Sequence, residues 1–202
     1  MNANRDIVGL VLAAGLSTRM GRLKQLLPIA GCPIVCKVAE VMRSRLNRVV
    51  VVLGHRAEDV AAALSGSRVE CVVNDRYREG MLSSVQCGLK TIGHEQGFAL
   101  SLGDQPSLQP ETVDAVLAAW AGSDKGIVLP TYNGKRGHPV IIGRQYVAKI
   151  MALGEGVGLN KVTRGFPDDT LELALDAPEI LEDMDTPADY ERELMRQQKG
   201  AG

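Results

Sequence analysis

The first regular feature of the chain is a run of apolar residues and glycine, Ile7–Ala13 (IVGLVLA), with no polar residue interleaved. A strand covered on both faces reads this way, whereas a strand with one wet face alternates. Similar, predominantly apolar runs recur at Arg48–Leu53 (RVVVVL), Val69–Val73 (VECVV, with Glu70 inside it) and Phe98–Leu102 (FALSL, with Ser101), and more briefly at Gly126–Pro130 and Pro139–Ile142. Between these runs the apolar positions fall at helical spacing over Pro33–Arg45, Ala57–Leu64, Ser83–Ile92 and Glu111–Trp120. Pro33 and Pro110 suit a first helical turn, and Ser83 and Ser84 read as helix caps. Beyond Ile142 the alternation loosens into a helical Arg144–Leu153, a glycine-rich Gly154–Gly158 and a late strand Leu171–Leu175. A last helix, Pro187–Gln197, follows Asp185-Thr186 as its capping region.

Strands of this kind alternating with helices predict a three-layer α/β domain around a mostly parallel sheet. Ligands in such sheets bind beyond the carboxyl ends of the strands. The loop after the first strand, Asn74 after the third and Asp104 after the fourth all fall on that edge. No internal repeat, low-complexity tract or linker divides residues 1–202, so the chain reads as one domain.

Composition narrows this picture. Hydrophobic residues make up 45% and charged residues 23% of 202 positions, enough for a real core. Aromatics are only 3%, so that core must be built from Val, Leu, Ile, Ala and Met. A net charge of −1 argues against a nucleic-acid partner, which calls for a basic face. Cys32, Cys36, Cys71 and Cys87 form no C-x-x-C pair, and three lie in apolar surroundings. They are expected to be reduced core thiols rather than metal ligands. The opening MNANRD lacks a signal-peptide pattern and no apolar run approaches a membrane span, so a soluble, cytoplasmic protein with no membrane partner is expected.

The candidate chemistry begins at residues 12–24, LAAGLSTRMGRLK. A P-loop needs four residues between its glycines and a lysine directly after the second. Gly15 and Gly21 are separated by five, and Lys24 comes three later, so this is not that loop. The dinucleotide fingerprint G-x-G-x-x-G fails as well. What remains is a longer loop of small residues followed by cations. Small residues let backbone N–H groups approach a ligand, and the Ser17-Thr18 hydroxyls add donors. Arg19 can fork onto two phosphate oxygens, while Lys24 offers a point charge.

LAAGLSTRMGRLKQLLP resembles the signature of the nucleotidyltransferases that attach a nucleoside monophosphate to molybdopterin cofactors, in particular the molybdenum cofactor cytidylyltransferases. VVNDRYREGMLSSVQCGL (residues 72–89), LGDQPSL (102–108), RGHPV (136–140) and DMDTPADY (183–190) agree with that family in the same order. The resemblance implies a Rossmann-like nucleotidyltransferase fold. It also implies transfer of CMP from CTP to the terminal phosphate of the molybdenum cofactor, with release of pyrophosphate. Arg19, Lys24 and Asp104 would be the catalytic residues. Leu12, Ala13, Ala14, Gly15, Ser17, Asn74, Gly80, Met81 and Ser84 would surround the nucleotide. Asp104 and Asp185 would hold Mg²⁺, a hard cation suited to carboxylates, with Asp183 as the alternative to Asp185. Asp185 could equally serve only to cap the last helix. Gly137, His138 and Pro139 fall on the acceptor side. His55 and His94 read as exposed loop residues without a role. LAAG rather than LAGG favours cytosine over guanine by the same resemblance. A molybdenum hydroxylase or its chaperone would be the recipient of the product.

One stretch departs from the pattern. Where the family carries G-D-x-G-A-R, this chain has GEGVGLNK (residues 154–161), without the arginine. Lys161 and Arg164 are the nearby cations that could take its place. Two other readings therefore stand beside the first: a relative using another nucleotide or phosphorylated acceptor, and a non-catalytic module that holds the cofactor for delivery. Intact Lys24 and Asp104 weigh against the last.

Overall fold

A computed structural model of the chain describes residues 7–200; the MNANRD hexapeptide lies outside them. In chain order the strands are β1 (Ile7–Ala13), β2 (Pro28–Ile29), β3 (Cys32–Pro33), β4 (Val49–Leu53), β5 (Glu70–Val73), β6 (Gly97–Leu102), β7 (Ile127–Tyr132), β8 (Lys135–Arg136), β9 (Val140–Gly143) and β10 (Thr170–Ala174). The helices are α1 (Ile34–Arg45), α2 (Ala57–Ala63), α3 (Met81–Leu89), α4 (Pro110–Ala121), α5 (Val147–Met151), α6 (Asn160–Thr163) and α7 (Pro187–Gly200).

The main sheet has the order β10-β7-β9-β6-β1-β4-β5, with β8 paired to β7. All its neighbours along that path run parallel except β9, which is antiparallel to both β6 and β7. The mostly parallel sheet read from the sequence is thus present, with β1 near its middle. Successive residues of β1 feed opposite cores. Ile7 and Val11 join the layer under α1, α2 and α4, while Val8 and Leu10 join the layer under α3, α5 and α6. Both faces are dry, which is why the strand shows no alternation.

A third, smaller core sets the site. Met20, Leu27, Ile29, Ile34 and Met184 pack together with Tyr190 and Leu194 of α7. The Tyr190 hydroxyl donates to the Pro28 carbonyl at 2.6 Å. This cluster draws the segment after residue 180 onto the loop that follows β1. Its sequence signal is slight, because the β2–β3 hairpin has only two residues per strand and no periodicity to read.

Three expectations need correction. Helix α3 starts at Met81, with Gly80 at its N-cap, so Ser83 and Ser84 lie inside the helix. Gly80 has φ 104°, a conformation that glycine alone adopts freely. Residues 144–153 are a 3-10 turn followed by the five-residue α5, not one continuous helix. Finally, all four cysteines are free, but Cys36 alone is buried and Cys71 is exposed on the edge strand β5. Among the described residues no helix is long and apolar enough to cross a membrane.

Candidate functional site

Lys24 begins a 3-10 turn directly after the opening loop. Ser17, at φ 54°, aims its Oγ to accept the Lys24 backbone N–H at 3.1 Å and to donate to Gln25 Oε1 at 3.1 Å. Ser17 therefore shapes the loop from within rather than facing the cavity. The Lys24 ammonium donates to Asp104 Oδ2 and, at 2.8 Å, to Asp185 Oδ1. Arg19 Nη2 reaches the other oxygen of Asp185 at 2.7 Å. Lys24 and Asp104 side chains are only 12% and 16% exposed, whereas Arg19 is 69% exposed. Burial lowers the Lys24 pKa, but Asp104 and then Asp185 outweigh it and hold the ammonium above its ordinary value. The hydrogen bond from Lys24, with Arg19 assisting, holds the Asp185 carboxyl below the usual range.

Asp104 follows β6 and is tied to the far segment by its backbone, whose carbonyl accepts the Met184 N–H at 3.0 Å. Gln105, 1% exposed, extends that tie by donating to the Ile180 carbonyl at 3.2 Å and to Asp183 Oδ1 at 2.9 Å. Asp183 sits beneath the cluster. Burial first, and then the neighbouring Asp104, push its carboxyl above the usual range.

Asp185 does not cap α7. Thr186 and Asp189 do so reciprocally: Thr186 Oγ1 accepts the Asp189 N–H at 3.3 Å, and the Asp189 carboxylate accepts the Thr186 N–H at 2.8 Å. This is a capping box with aspartate in the acidic position. It leaves Asp185 free for the cations opposite.

A cavity of about 410 Å³ opens above these groups. Leu12, Ala14, Gly15, Gly80, Met81 and Ser84 line it together with Arg19, Lys24, Asp104, Asp183 and Asp185, all of them drawn from the sequence motifs. Ala13, Ser17 and Asn74 do not. Asn74 is buried and donates to Ser83 Oγ at 2.9 Å and Ser84 Oγ at 3.0 Å. It thus orients Ser84, which lines the cavity. Tyr77 and Arg78 line the same space, with the guanidinium 5.7 Å from the ring centroid.

A second cavity of about 560 Å³ shares Gly80 and Met81 with the first. Gly137, His138 and the stretch from Gly156 to Asn160 line it, but Pro139 does not. The His138 pKa falls to about 4 by desolvation, so the ring is neutral at pH 7. Gly137 is required by packing, since a Cβ there would lie 2.5 Å from both Ile180 Cγ1 and the Ile180 carbonyl. His55 is half-buried beside Tyr77 and His94 is exposed; neither lines these cavities.

The donor set suits a divalent cation. Among the described residues no three His, Cys, Asp or Glu side chains converge as a ready metal cage. Mg²⁺ typically takes one or two carboxylates and completes its shell with phosphates and water. Asp104 Oδ1 is buried with no hydrogen-bond partner, an oxygen for which a cation is the natural complement.

Residues 9–172 match the family model described as MobA-like NTP transferase domain. The chain belongs to that family. It is a nucleotidyltransferase, and the loop, the cations and the carboxylates above are its candidate machinery. The chain is 27% identical over 182 residues to a molybdenum cofactor cytidylyltransferase of Escherichia coli K12, covering 90% of this chain and 92% of that protein. It is 34% identical over 148 residues to a nicotine blue oxidoreductase of Paenarthrobacter nicotinovorans, covering 67% and 70% respectively. The solved Rv0371c of Mycobacterium tuberculosis H37Rv is 30% identical, with a TM-score of 0.80 over 94% of this chain and 98% of that one. The same mycobacterial protein has also been solved in complex with manganese, at a TM-score of 0.76 over 95% and 98%. Members of this transferase family usually use divalent metal ions.

Proposed function

We propose that the chain transfers CMP from CTP to the terminal phosphate of molybdopterin cofactor, releasing pyrophosphate. The carrying observation is the Lys24 ammonium held between Asp104 and Asp185 at one cavity, with a second cavity adjoining across Gly80 and Met81. The first suits a nucleotide and the second an acceptor. The similarity to the cytidylyltransferase of E. coli supports this pairing of substrates.

In the reaction an acceptor phosphate oxygen bonds to the α-phosphorus as the bond to the β-phosphate oxygen breaks. That oxygen is already anionic at pH 7, so no general base is required. The barrier lies in bringing one anion onto another, and positioned cations lower it. Lys24 stays protonated because its two carboxylates hold it so, and it offers charge to the α-phosphate without moving a proton. Arg19, largely exposed and paired with Asp185, is the second cation offered to the phosphates. Neutral His138 acts as a hydrogen-bonding wall of the acceptor cavity, not as an acid. Asp104 and Asp185 would hold Mg²⁺, which would supply neutralisation of triphosphate charge. The product would pass to a molybdenum hydroxylase or its chaperone.

Pyrophosphate release is measured with Mg²⁺ and each of CTP, GTP, ATP and UTP, with and without molybdenum cofactor. Release with CTP that depends on the cofactor is expected. Equal release with GTP overturns the nucleotide assignment. Release only with sugar or polyol phosphates overturns the acceptor, and tight cofactor binding without release favours delivery over transfer.

A further inference from the structure

The second cavity is largely apolar, walled by Leu82, Leu100, Leu129 and Val140. Its charged and titratable lining is small and, Arg164 apart, accounted for within the chain. Glu79 is engaged by Arg76 at 3.5 Å. Arg136 is spent on structure: Nε donates to Glu172 at 2.9 Å and Nη1 to the Thr163 carbonyl at 2.9 Å. His138 is neutral for want of solvation. Arg164 differs from all of these. It follows α6, its backbone N–H donates to the Asn160 carbonyl at 2.9 Å, and its side chain is exposed at the cavity. Among the described residues its guanidinium has no carboxylate or carbonyl partner. Arg136 fixes the residue directly before it, so the base of this side chain is anchored while its head is free.

We infer that Arg164 determines acceptor specificity by binding an electron-rich group, an anion or a carbonyl-type oxygen or sulfur, at the end of the acceptor remote from the reacting phosphate. The placement of two cations carries this. Lys24 lines the nucleotide cavity and meets the phosphate, whereas Arg164 lines the adjoining one and waits for something else. An acceptor with a phosphate at one end and only apolar surface at the other would leave the guanidinium unanswered. A planar, weakly hydrated guanidinium suits a flat acceptor between apolar walls better than an ammonium does. The inference rests on the proposed transfer reaction, in that it takes the second cavity as the acceptor's.

The test compares wild type, R164A and R164K by steady-state kinetics with CTP and molybdenum cofactor, and by fluorescence titration of the cofactor without nucleotide. R164A should raise the KM for cofactor about tenfold or more, the loss expected for one charge-assisted contact, while KM for CTP and kcat stay within about twofold. R164K should recover part of the loss. An unchanged cofactor KM, or equal losses for CTP and cofactor, overturns the role. If wild type binds the cofactor but releases no pyrophosphate, the transfer reading fails, and weaker titration of R164A still upholds Arg164. Wild type that fails to bind the cofactor at all overturns both.

Discussion

Lys24 Nζ and Asp185 Oδ1 are 161 positions apart in sequence and 2.8 Å apart in space. The same ammonium holds Asp104, so one lysine joins the opening loop, the end of β6 and the segment before α7. Lys24→Met should therefore damage both activity and fold. Loss of the cation at the developing charge should lower kcat/KM by about 100-fold or more. Leaving Asp104 without a cation should cost on the order of 2 kcal/mol, below the range for a fully buried pair because Arg19 still holds the one-third exposed Asp185. Pyrophosphate release and thermal unfolding measure the two effects separately.

Asp104→Asn tests the metal assignment. The amide keeps the shape of the side chain and can still accept from Lys24, so the melting temperature should change little. The charge and the unpartnered Oδ1 are what a divalent cation would use. Turnover should fall by about 100-fold or more, and the Mg²⁺ concentration for half-activity should rise. Full activity in this variant would remove Asp104 from the metal role.

Asp185 and Thr186 are adjacent but perform different tasks, and substitution should separate them. Thr186→Ala removes the capping hydroxyl and should cost about 1 kcal/mol of stability with kcat/KM within about twofold of wild type. Asp185→Asn leaves the cap intact and weakens the hold on Arg19 and Lys24, so activity should fall at least tenfold, with a loss of melting temperature at pH 7 smaller than that of Thr186→Ala. Equal stability losses in the two variants would contradict this division.

The parts of the site legible in the sequence are those that follow buried strands. The run before Ala13 and the run before Asp104 announce strands covered on both faces, and the sheet-edge rule then places their loops together. Residues Arg19, Lys24, Asp104 and Asp185 do converge on one cavity. Less legible was how side chains divide their work. Ser17 and Asn74 are polar residues in the right loops, yet each hydrogen-bonds inward and orients a neighbour. Only packing decides that. Gln105 gave no signal of its own, because a glutamine bridging Ile180 and Asp183 depends on a contact across more than seventy positions. The cap is legible as far as the Asp185-Thr186 region, and the T-x-x-D pattern of Thr186–Asp189 is the feature that singles out Thr186 within it.

Asp183 should make stability depend on pH in the sense opposite to Asp185. Burial, and then Asp104, raise its folded pKa, so the folded state prefers the protonated form. Its ionisation therefore erodes stability as pH rises from the unfolded carboxylate value of about 3.9 through the raised folded value. Asp183→Asn cannot ionise and still accepts from Gln105. It should melt higher than wild type at pH 7, with the gap closing below about pH 4. For Asp185 the folded pKa is depressed, so its contribution is present above about pH 3.9 and is lost as pH falls through the lower folded value. Thermal melts of both Asn variants across pH 3–7 would show these opposite slopes.

Gly137→Ala distinguishes a packing glycine from a ligand-binding one. The new Cβ would lie 2.5 Å from Ile180 Cγ1 and 2.5 Å from the Ile180 carbonyl oxygen. That carbonyl is not free to retreat, because it accepts from the His138 backbone N–H at 3.2 Å and from Gln105 Nε2 at 3.2 Å. Overpacking of this kind costs about 1–3 kcal/mol, and the strain falls on the segment that carries Asp183 and Asp185. The melting temperature should drop and turnover should fall with it. Truncation of the partner separates the two clashes. Ile180→Ala removes the contact with the side chain but leaves the carbonyl in place, so the double variant G137A/I180A should remain less stable than I180A alone. A double variant as stable as I180A would place the whole conflict in the Ile180 side chain and release its carbonyl from the role assigned to it.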